Sequence, residues 1–137
     1  MAETKYGKYF VKEPLTKGGP FPILVAYGGK DFGGANFSIR VHYQTEPYLM
    51  IKEPHKHDFD QFYVIMAGDL ANVRDFGAVI ELFLGEEGEK HIIDTTMCVH
   101  IPKGLIHGPL EFKKVDKPVI LLDILAAPEY SKVPISE

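Results

Sequence analysis

The sequence has few of the features that mark secreted or membrane proteins. It contains one cysteine, Cys98, which cannot form an internal disulfide and therefore suits a reducing compartment. No apolar run approaches the roughly 18–20 residues that a membrane-spanning helix needs. The first residues also lack the apolar stretch of a secretory signal. These absences predict a cytoplasmic protein that does not partner a membrane.

Clustered positive charge is also missing. The chain has 15 lysines and arginines against 19 acidic residues, for a formal net charge of -4. The basic residues are scattered along the sequence, so no nucleic-acid partner is predicted. The chain has 137 residues, of which 45% are hydrophobic and 25% charged. This size and composition predict a single globular domain over residues 1–137.

No helical periodicity extends over ten or more residues. Instead, 13 glycines and 10 prolines separate short apolar runs, a pattern that favours strands joined by turns. We expect strands at residues 21–27, 35–43, 60–66, 79–84, 90–94, 97–101 and 119–125. The predicted architecture is an all-β sandwich or small barrel with its core at about 21–126. An arm over 1–20 should lie on the surface or add an edge strand, and a tail over 127–137 should cross the surface.

Two short clusters carry most of the chemical information. His55, His57 and Gln61 project from the same face of an extended strand, because residues two apart share a face. His107 follows a Pro-x-Gly turn and could approach them from a second strand. Imidazole is the commonest protein metal ligand, and glutamine can bind through its carbonyl oxygen. The four residues therefore predict a site for one divalent transition metal, with iron, manganese, zinc and nickel all open.

The strand at 35–43 has one polar and one apolar face. If the polar face looks into a cavity, Arg40 could clamp a substrate carboxylate bidentately, with His42 beside it. The cleaner apolar stripe favours the opposite orientation, which would put Arg40 and His42 on the surface or at a dimer seam. Tyr63 shares the face of the candidate ligands and is either a packed core residue or a substrate-orienting hydroxyl. We expect Cys98 to be buried and inert.

The two clusters resemble the paired motifs of the cupin superfamily. The first family motif, Gly-x5-His-x-His-x3or4-Glu-x6-Gly, is matched by His55-x-His57-x3-Gln61-x6-Gly68. The second, Gly-x5-Pro-x-Gly-x2-His-x3-Asn, is matched by Pro102-x-Gly104-x2-His107. The resemblance covers roughly residues 47–125, most of the chain.

The chain departs from these motifs at four positions. Leu49 and Thr96 replace the opening glycines, and Glu111 replaces the asparagine. Gln61 replaces a glutamate that is a metal ligand in the family. An amide carries no charge, so a divalent ion here would keep its full charge, and one unit is worth about 4 kcal/mol at about 4 Å for an effective dielectric constant of about 20. We therefore expect the site to prefer an anionic oxygen ligand.

The resemblance implies a double-stranded β-helix (jelly-roll) barrel of six to eight strands, often a homodimer, with the metal in its mouth. It does not imply one reaction, because the superfamily includes dioxygenases, isomerases, lyases and non-enzymatic binders. The favoured function is a metalloenzyme that uses dioxygenase-like or Lewis-acid chemistry on a small anionic or carbonyl-containing molecule. The alternative is a small-molecule-binding or sensing protein whose metal is structural.

Overall fold

The computed structural model describes residues 4–17 and 22–135. Its secondary structure is almost entirely β, as predicted. The strands are β1 Leu15–Lys17, β2 Pro22–Ala26, β3 Ser38–Gln44, β4 Tyr48–Ile51, β5 Gln61–Ala67, β6 Ala78–Leu84, β7 Glu89–Ile93, β8 Met97–Ile101, β9 His107–Val115 and β10 Val119–Leu125. A 3-10 turn at Gly7–Tyr9 and a one-turn helix, α1, at Gly28–Asp31 complete the described elements.

The strands form two antiparallel sheets. One has six strands in the order β1-β2-β3-β10-β5-β8, and the other has four in the order β4-β9-β6-β7. The inner faces of the sheets enclose a core whose most buried side chains include Ile65, Ile80, Leu110, Phe112 and Leu121. This arrangement confirms the predicted all-β jelly roll, in which alternate residues of each strand face the core.

The sequence pattern predicted seven of these strands to within about three residues and gave β1 only as one of two alternatives for the N-terminal arm, but it missed β4 and β9. Strand β9 is the longest of the ten, yet Gly108 and Pro109 interrupt its alternation. The structure accommodates this pair at an irregularity, where the register of β9 against β6 shifts between Leu82 and Leu84. Proline is tolerated in a sheet at such a bulge because no ladder hydrogen bond is lost there.

The expected orientation of β3 is wrong. Its polar face looks inward, with Ser38, His42 and Gln44 buried, whereas Phe37 and Tyr43 are 43% and 45% exposed. Nδ1 of His42 and Nε2 of Gln44 have no hydrogen-bond partner among the described residues, whereas other inward polar atoms find partners on neighbouring elements. Ser38 Oγ, for example, donates to the carbonyl of Ala127 at 2.7 Å and accepts from the Gly28 N–H at 3.0 Å.

The first and last described segments both pair with parts of the barrel. Strand β1 pairs with β2 at the edge of the six-stranded sheet, which agrees with one of the two arrangements expected for the N-terminal arm. Residues 18–21 lie outside the described part of the chain. The C-terminal segment was expected to cross the surface, but it returns to the first histidine cluster, where the Val133 N–H donates to the carbonyl of Lys56 at 2.9 Å. Within residues 4–17 and 22–135, no helix has the length and apolar character to cross a membrane.

Candidate metal centre

A pair of backbone hydrogen bonds brings the two histidine clusters together. The His55 N–H donates to the carbonyl of His107 at 2.9 Å, and the His107 N–H donates back to His55 at 2.8 Å. This reciprocal pair is an isolated antiparallel bridge. It places two residues that are far apart in sequence side by side at the end of the barrel.

The Pro-x-Gly turn of the second cluster sets this register. Leu105 closes the turn by donating its N–H to the carbonyl of Pro102 at 3.0 Å, and Gly104 adopts a φ of +84°, a conformation that glycine accepts without steric cost. The Gly104 N–H then donates to the carbonyl of His57 at 2.9 Å. The turn is therefore tied to the first cluster, and the chain leaving it enters β9 with His107 opposite His55.

The three imidazoles form a compact, buried group. The ring centroids of His55 and His107 are 4.4 Å apart, those of His55 and His57 4.8 Å, and those of His57 and His107 5.1 Å. One nitrogen from each ring lies within 4.8 Å of the others, a grouping that could hold a metal ion. His107 is fully buried, and His57 is stacked on Phe59 with centroids 4.7 Å apart.

Backbone carbonyls set the tautomer of each ring. Nδ1 of His57 lies 2.5 Å from the carbonyl oxygen of Ser131, Nδ1 of His107 lies 3.1 Å from that of Leu105, and Nδ1 of His55 lies 3.3 Å from that of Glu53. A carbonyl oxygen only accepts, so Nδ1 carries the proton in each ring and Nε2 keeps its lone pair. Nε2 of His57 and Nε2 of His107 are buried and have no hydrogen-bond partner among the described residues.

Burial also keeps these rings neutral. Desolvation, assisted by the neighbouring His107, lowers the pKa of His55 from 6.5 to about 4. Desolvation likewise lowers the pKa of His57 and of His107. Neutral imidazole is the form that binds a metal, so the rings are in a metal-binding state at neutral pH.

Gln61 is held at the start of β5 by a carboxylate that the sequence analysis missed. Its Nε2 donates to Oδ1 of Asp123 at 2.6 Å, while its Oε1 is buried and unpartnered within the described chain. Asp123 is only 3% exposed. Its signal in the sequence was a single acidic residue inside the apolar run of β10, since a buried carboxylate persists only where it is paired.

Arg40 is the partner that neutralises Asp123. Its Nη2 and Nε donate to Oδ2 of Asp123 at 2.7 and 3.2 Å, and the guanidinium carbon lies 4.3 Å from the ring centroid of Tyr130. In register, Asp123 lies opposite Arg40 on one neighbouring strand and Tyr63 on the other. The carboxylate that Arg40 clamps is thus one from the protein itself.

A cavity of about 980 Å³ reaches the histidine group at His55, the member of the three that lines it. Its inner wall includes His42, His55, Gln61, Tyr63 and Asp123, so both β3 candidates and Tyr63 do border a cavity. Exposed lysines at positions 12, 30, 52 and 132 line its outer part, which shows that it reaches the surface. Among the described lining residues, six are lysine or arginine and four are acidic.

Other candidates lie outside this cavity. Asp58 forms an ion pair with Lys103 at 3.2 Å, and Asp60 accepts from the Lys103 N–H at 3.1 Å. Both carboxylates therefore face away from the histidines, as expected because they alternate with the candidate ligands along the chain. Cys98 is exposed, and the expectation of a buried thiol is wrong. Cys98 belongs to the outer face of β8, where it lies opposite Val64.

The buried histidines predict acid sensitivity of the metal-free protein. Desolvation, reinforced by Arg40, lowers the pKa of His42 from 6.5 to about 4. Between these values the unfolded chain binds a proton that the folded chain does not, so stability falls as the pH drops from about 6.5 to about 4. His42→Phe should reduce this slope by about 1.4 kcal/mol per pH unit, the contribution of one proton.

Urea unfolding of chelator-treated protein across this pH range measures the effect. Tyr9, which is 69% exposed, provides the control, because Tyr9→Phe changes no histidine and should leave the slope unchanged. A His42→Phe protein with the wild-type slope would contradict the assignment of His42 as a buried neutral group.

The fold of this chain is shared with solved structures of other proteins. No protein-family model and no curated protein matches the chain. Among solved structures, the chain is similar to an oxalate decarboxylase studied for its substrate binding mode and to Bacillus subtilis oxalate decarboxylase studied for its Mn(II) centres. In each case the identity is 13% and the TM-score 0.57, over 88% of this chain and 29% of the other.

A structure of the Bacillus subtilis enzyme at pH 4.6 matches at 12% identity with a TM-score of 0.56, over 83% of this chain and 27% of the enzyme. The chain thus spans less than a third of the length of these proteins. At such low identity the likeness concerns architecture. Together with the two antiparallel sheets and the histidine group at the barrel end, it shows that this chain has the cupin fold.

Proposed function

We propose that this protein is a mononuclear metal-dependent enzyme that acts on a small anionic or carbonyl-containing organic molecule. The observation that carries this proposal is the group of three neutral imidazoles beside a large cavity. Each ring presents the nitrogen that its backbone carbonyl leaves free.

Three of the five buried side-chain atoms that lack a hydrogen-bond partner among the described residues fit a metal ion. A buried polar atom without a partner costs about 1–3 kcal/mol, and Nε2 of His57, Nε2 of His107 and Oε1 of Gln61 are three such atoms. A divalent ion held by His55, His57, His107 and Gln61 would satisfy all of them. Imidazole and carbonyl-type donors suit zinc, iron, nickel or manganese, and manganese is the metal studied in the similar oxalate decarboxylase.

When bound, such an ion would polarise a substrate oxygen as a Lewis acid or, if redox-active, support reaction with oxygen. The protein supplies positioning groups around it. Burial raises the pKa of the Tyr63 hydroxyl well above 10, so this cavity-lining phenol stays protonated and can donate a hydrogen bond to a substrate oxygen. His42 is neutral at the same wall.

The charge balance favours an anionic ligand. The three imidazoles and the amide are neutral, and Arg40 cancels the charge of Asp123 through their ion pair. A divalent ion would therefore keep its full charge, and the excess of basic over acidic residues in the cavity lining would attract an anion further. Because the cavity measures about 980 Å³, near the upper end of small-molecule pockets, the substrate is expected to be considerably larger than oxalate.

The alternative is a small-molecule-binding or sensing protein with a structural metal. Asp123 is the buried carboxylate of the cavity, and both of its oxygens are already engaged, one by Gln61 and the other by Arg40. It is therefore not free to act as a general base, which leaves ligand binding without catalysis as a second reading. Among enzymatic mechanisms, the same fact favours Lewis-acid or oxygen chemistry over proton abstraction.

We also propose a homodimer formed through the outer face of the six-stranded sheet. The outward side chains of β3, β5 and β10 are uncharged and, apart from the Tyr43 hydroxyl, apolar over nine positions: Ile39, Val41, Tyr43, Phe62, Val64, Met66, Ile120, Leu122 and Ile124. A partly exposed apolar sheet face of this extent is typical of an interface, and a second copy would present the same complementary surface. The exposed thiol of Cys98 beside this face supports a reducing, cytoplasmic location.

Removal of His107 should strongly weaken metal binding. Protein purified without a histidine tag should contain about one equivalent of metal, whereas His107→Ala should weaken binding by more than the roughly 10–100-fold typical of outer-shell changes. Elemental analysis and titration with a divalent metal measure this, with circular dichroism as the check on folding. His91→Ala is the matched control and should retain the metal. Full metal content in His107→Ala would refute the site.

Metal-loaded protein should bind carboxylates more tightly than their neutral amide analogues, because the ion keeps its charge. Calorimetric titration of matched pairs, with metal-free protein as the control, tests this; equal affinity for the two members of each pair would rule out the charge argument. Oxygen consumption with diketones, flavonols and enediols then separates the enzyme from the non-catalytic binder. Turnover of one of these compounds supports the enzymatic function. Tight binding with no product formed supports the non-catalytic binding protein.

The dimer should dissociate when its interface is charged. Leu122 lies in the middle of the proposed face, so Leu122→Lys should shift the species from dimer to monomer at micromolar concentration. Sedimentation velocity measures this shift. Ile92, which is 46% exposed on the other sheet, provides the control variant Ile92→Lys, which should remain dimeric. A monomeric wild-type protein would refute the interface.

A further inference from the structure

We propose that Asp123 is a positioning residue that orients the amide of Gln61 with its carbonyl oxygen, rather than its nitrogen, available to the metal. The inference rests on the proposed metal site and adds to it a residue outside the ligand set. Such a residue is needed because a glutamine amide can present either its oxygen or its nitrogen. The two ends have similar shapes but opposite hydrogen-bonding character.

The short contact between the two side chains fixes the amide orientation. The Gln61 amide lies 2.6 Å from Oδ1 of Asp123, and an ionised carboxylate has only acceptors. The NH2 group must face it, since two oxygens at this separation would repel each other. Oε1 therefore points to the other side, where it is buried without a partner among the described residues. A carbonyl oxygen can ligate a metal, whereas an amide NH2 has no available lone pair.

Arg40 holds the Asp123 carboxylate in the orientation that this role needs. It donates twice to Oδ2 of Asp123, which leaves Oδ1 for Gln61. The three residues come from adjacent strands of one sheet, with β10 between β3 and β5. The ladder hydrogen bonds of that sheet therefore set the distances between them, and the amide is oriented before any ion arrives.

The network predicts what happens when Asp123 becomes asparagine. Arg40 has only donors to offer, so it would take the oxygen of the new amide, and the new NH2 would face Gln61. Gln61 would then turn its own oxygen toward that NH2 and present its nitrogen to the metal position. Asp123→Asn, which is nearly isosteric, should thus reverse the orientation of Gln61.

A second substitution should undo this reversal. In Asp123→Asn combined with Gln61→Glu, the carboxylate at position 61 accepts from the new NH2 with one oxygen and offers the other to the ion. The hydrogen bond between positions 61 and 123 is kept with its direction reversed. A role of Asp123 in folding alone predicts no such rescue.

The experiment uses cobalt(II) ions as the probe, with affinity measured by calorimetry and the ligand set by visible absorption. Asp123→Asn should bind cobalt about 10–100-fold more weakly than wild type with an altered spectrum, and the double variant, which again presents an oxygen to the ion, should recover the affinity. Asp60→Asn is the matched control, because Asp60 directly precedes Gln61 but faces His100 and Lys103; it should bind as wild type does. Thermal unfolding of the metal-free proteins checks that all variants fold.

The outcomes separate this inference from the proposed function. Absence of cobalt binding in the wild type would overturn the proposed metal site itself. Wild-type affinity in Asp123→Asn would overturn the positioning role and leave the metal site standing. Loss of binding in Asp123→Asn without recovery in the double variant would also overturn it, because that result assigns Asp123 a structural role.

Discussion

The candidate site depends on one pair of backbone hydrogen bonds, those that join His55 and His107 at the end of the barrel. Without this bridge the two sequence clusters would belong to separate strands with no common face. With it, the rings converge, and the turn at Gly104 secures the arrangement by a third backbone bond to His57. Backbone bonds suit this purpose because their geometry does not depend on rotamer choice.

The candidate site also depends on a row of polar side chains inside the apolar barrel. Arg40, Asp123 and Gln61 are brought together by the register of three strands, and each satisfies a group that would be costly to bury alone. The same network neutralises its own charge. The consequence is a cavity wall that is polar but to which the Arg40–Asp123 pair adds no net charge.

The C-terminal segment shows how a surface element becomes part of a site. Residues 126–135 follow the last strand and pack back across the first histidine cluster. The carbonyl of Ser131 accepts from His57 Nδ1, and the ring of Tyr130 contacts both His57 and the guanidinium of Arg40. A backbone carbonyl can come from any residue type, so no sequence motif announces this contact.

Local patterns determined much of this protein. The alternation of β5 predicted a strand that contains Gln61, and the Pro-x-Gly turn before His107 predicted its approach, because both are properties of short stretches of backbone. The expectation that His55 and His57 share one strand with Gln61 is wrong, since β5 begins at Gln61 and bends at Asp58 and Phe59 separate it from the two histidines. The tertiary structure decided which face of β3 looks inward and which carboxylate meets Gln61. Both depend on a partner distant in sequence: Asp123 is 83 residues from Arg40 and 62 from Gln61. Alternation along a strand defines its two faces, but only the neighbouring strand, with a charge to pair or an apolar surface to cover, decides which of them is buried.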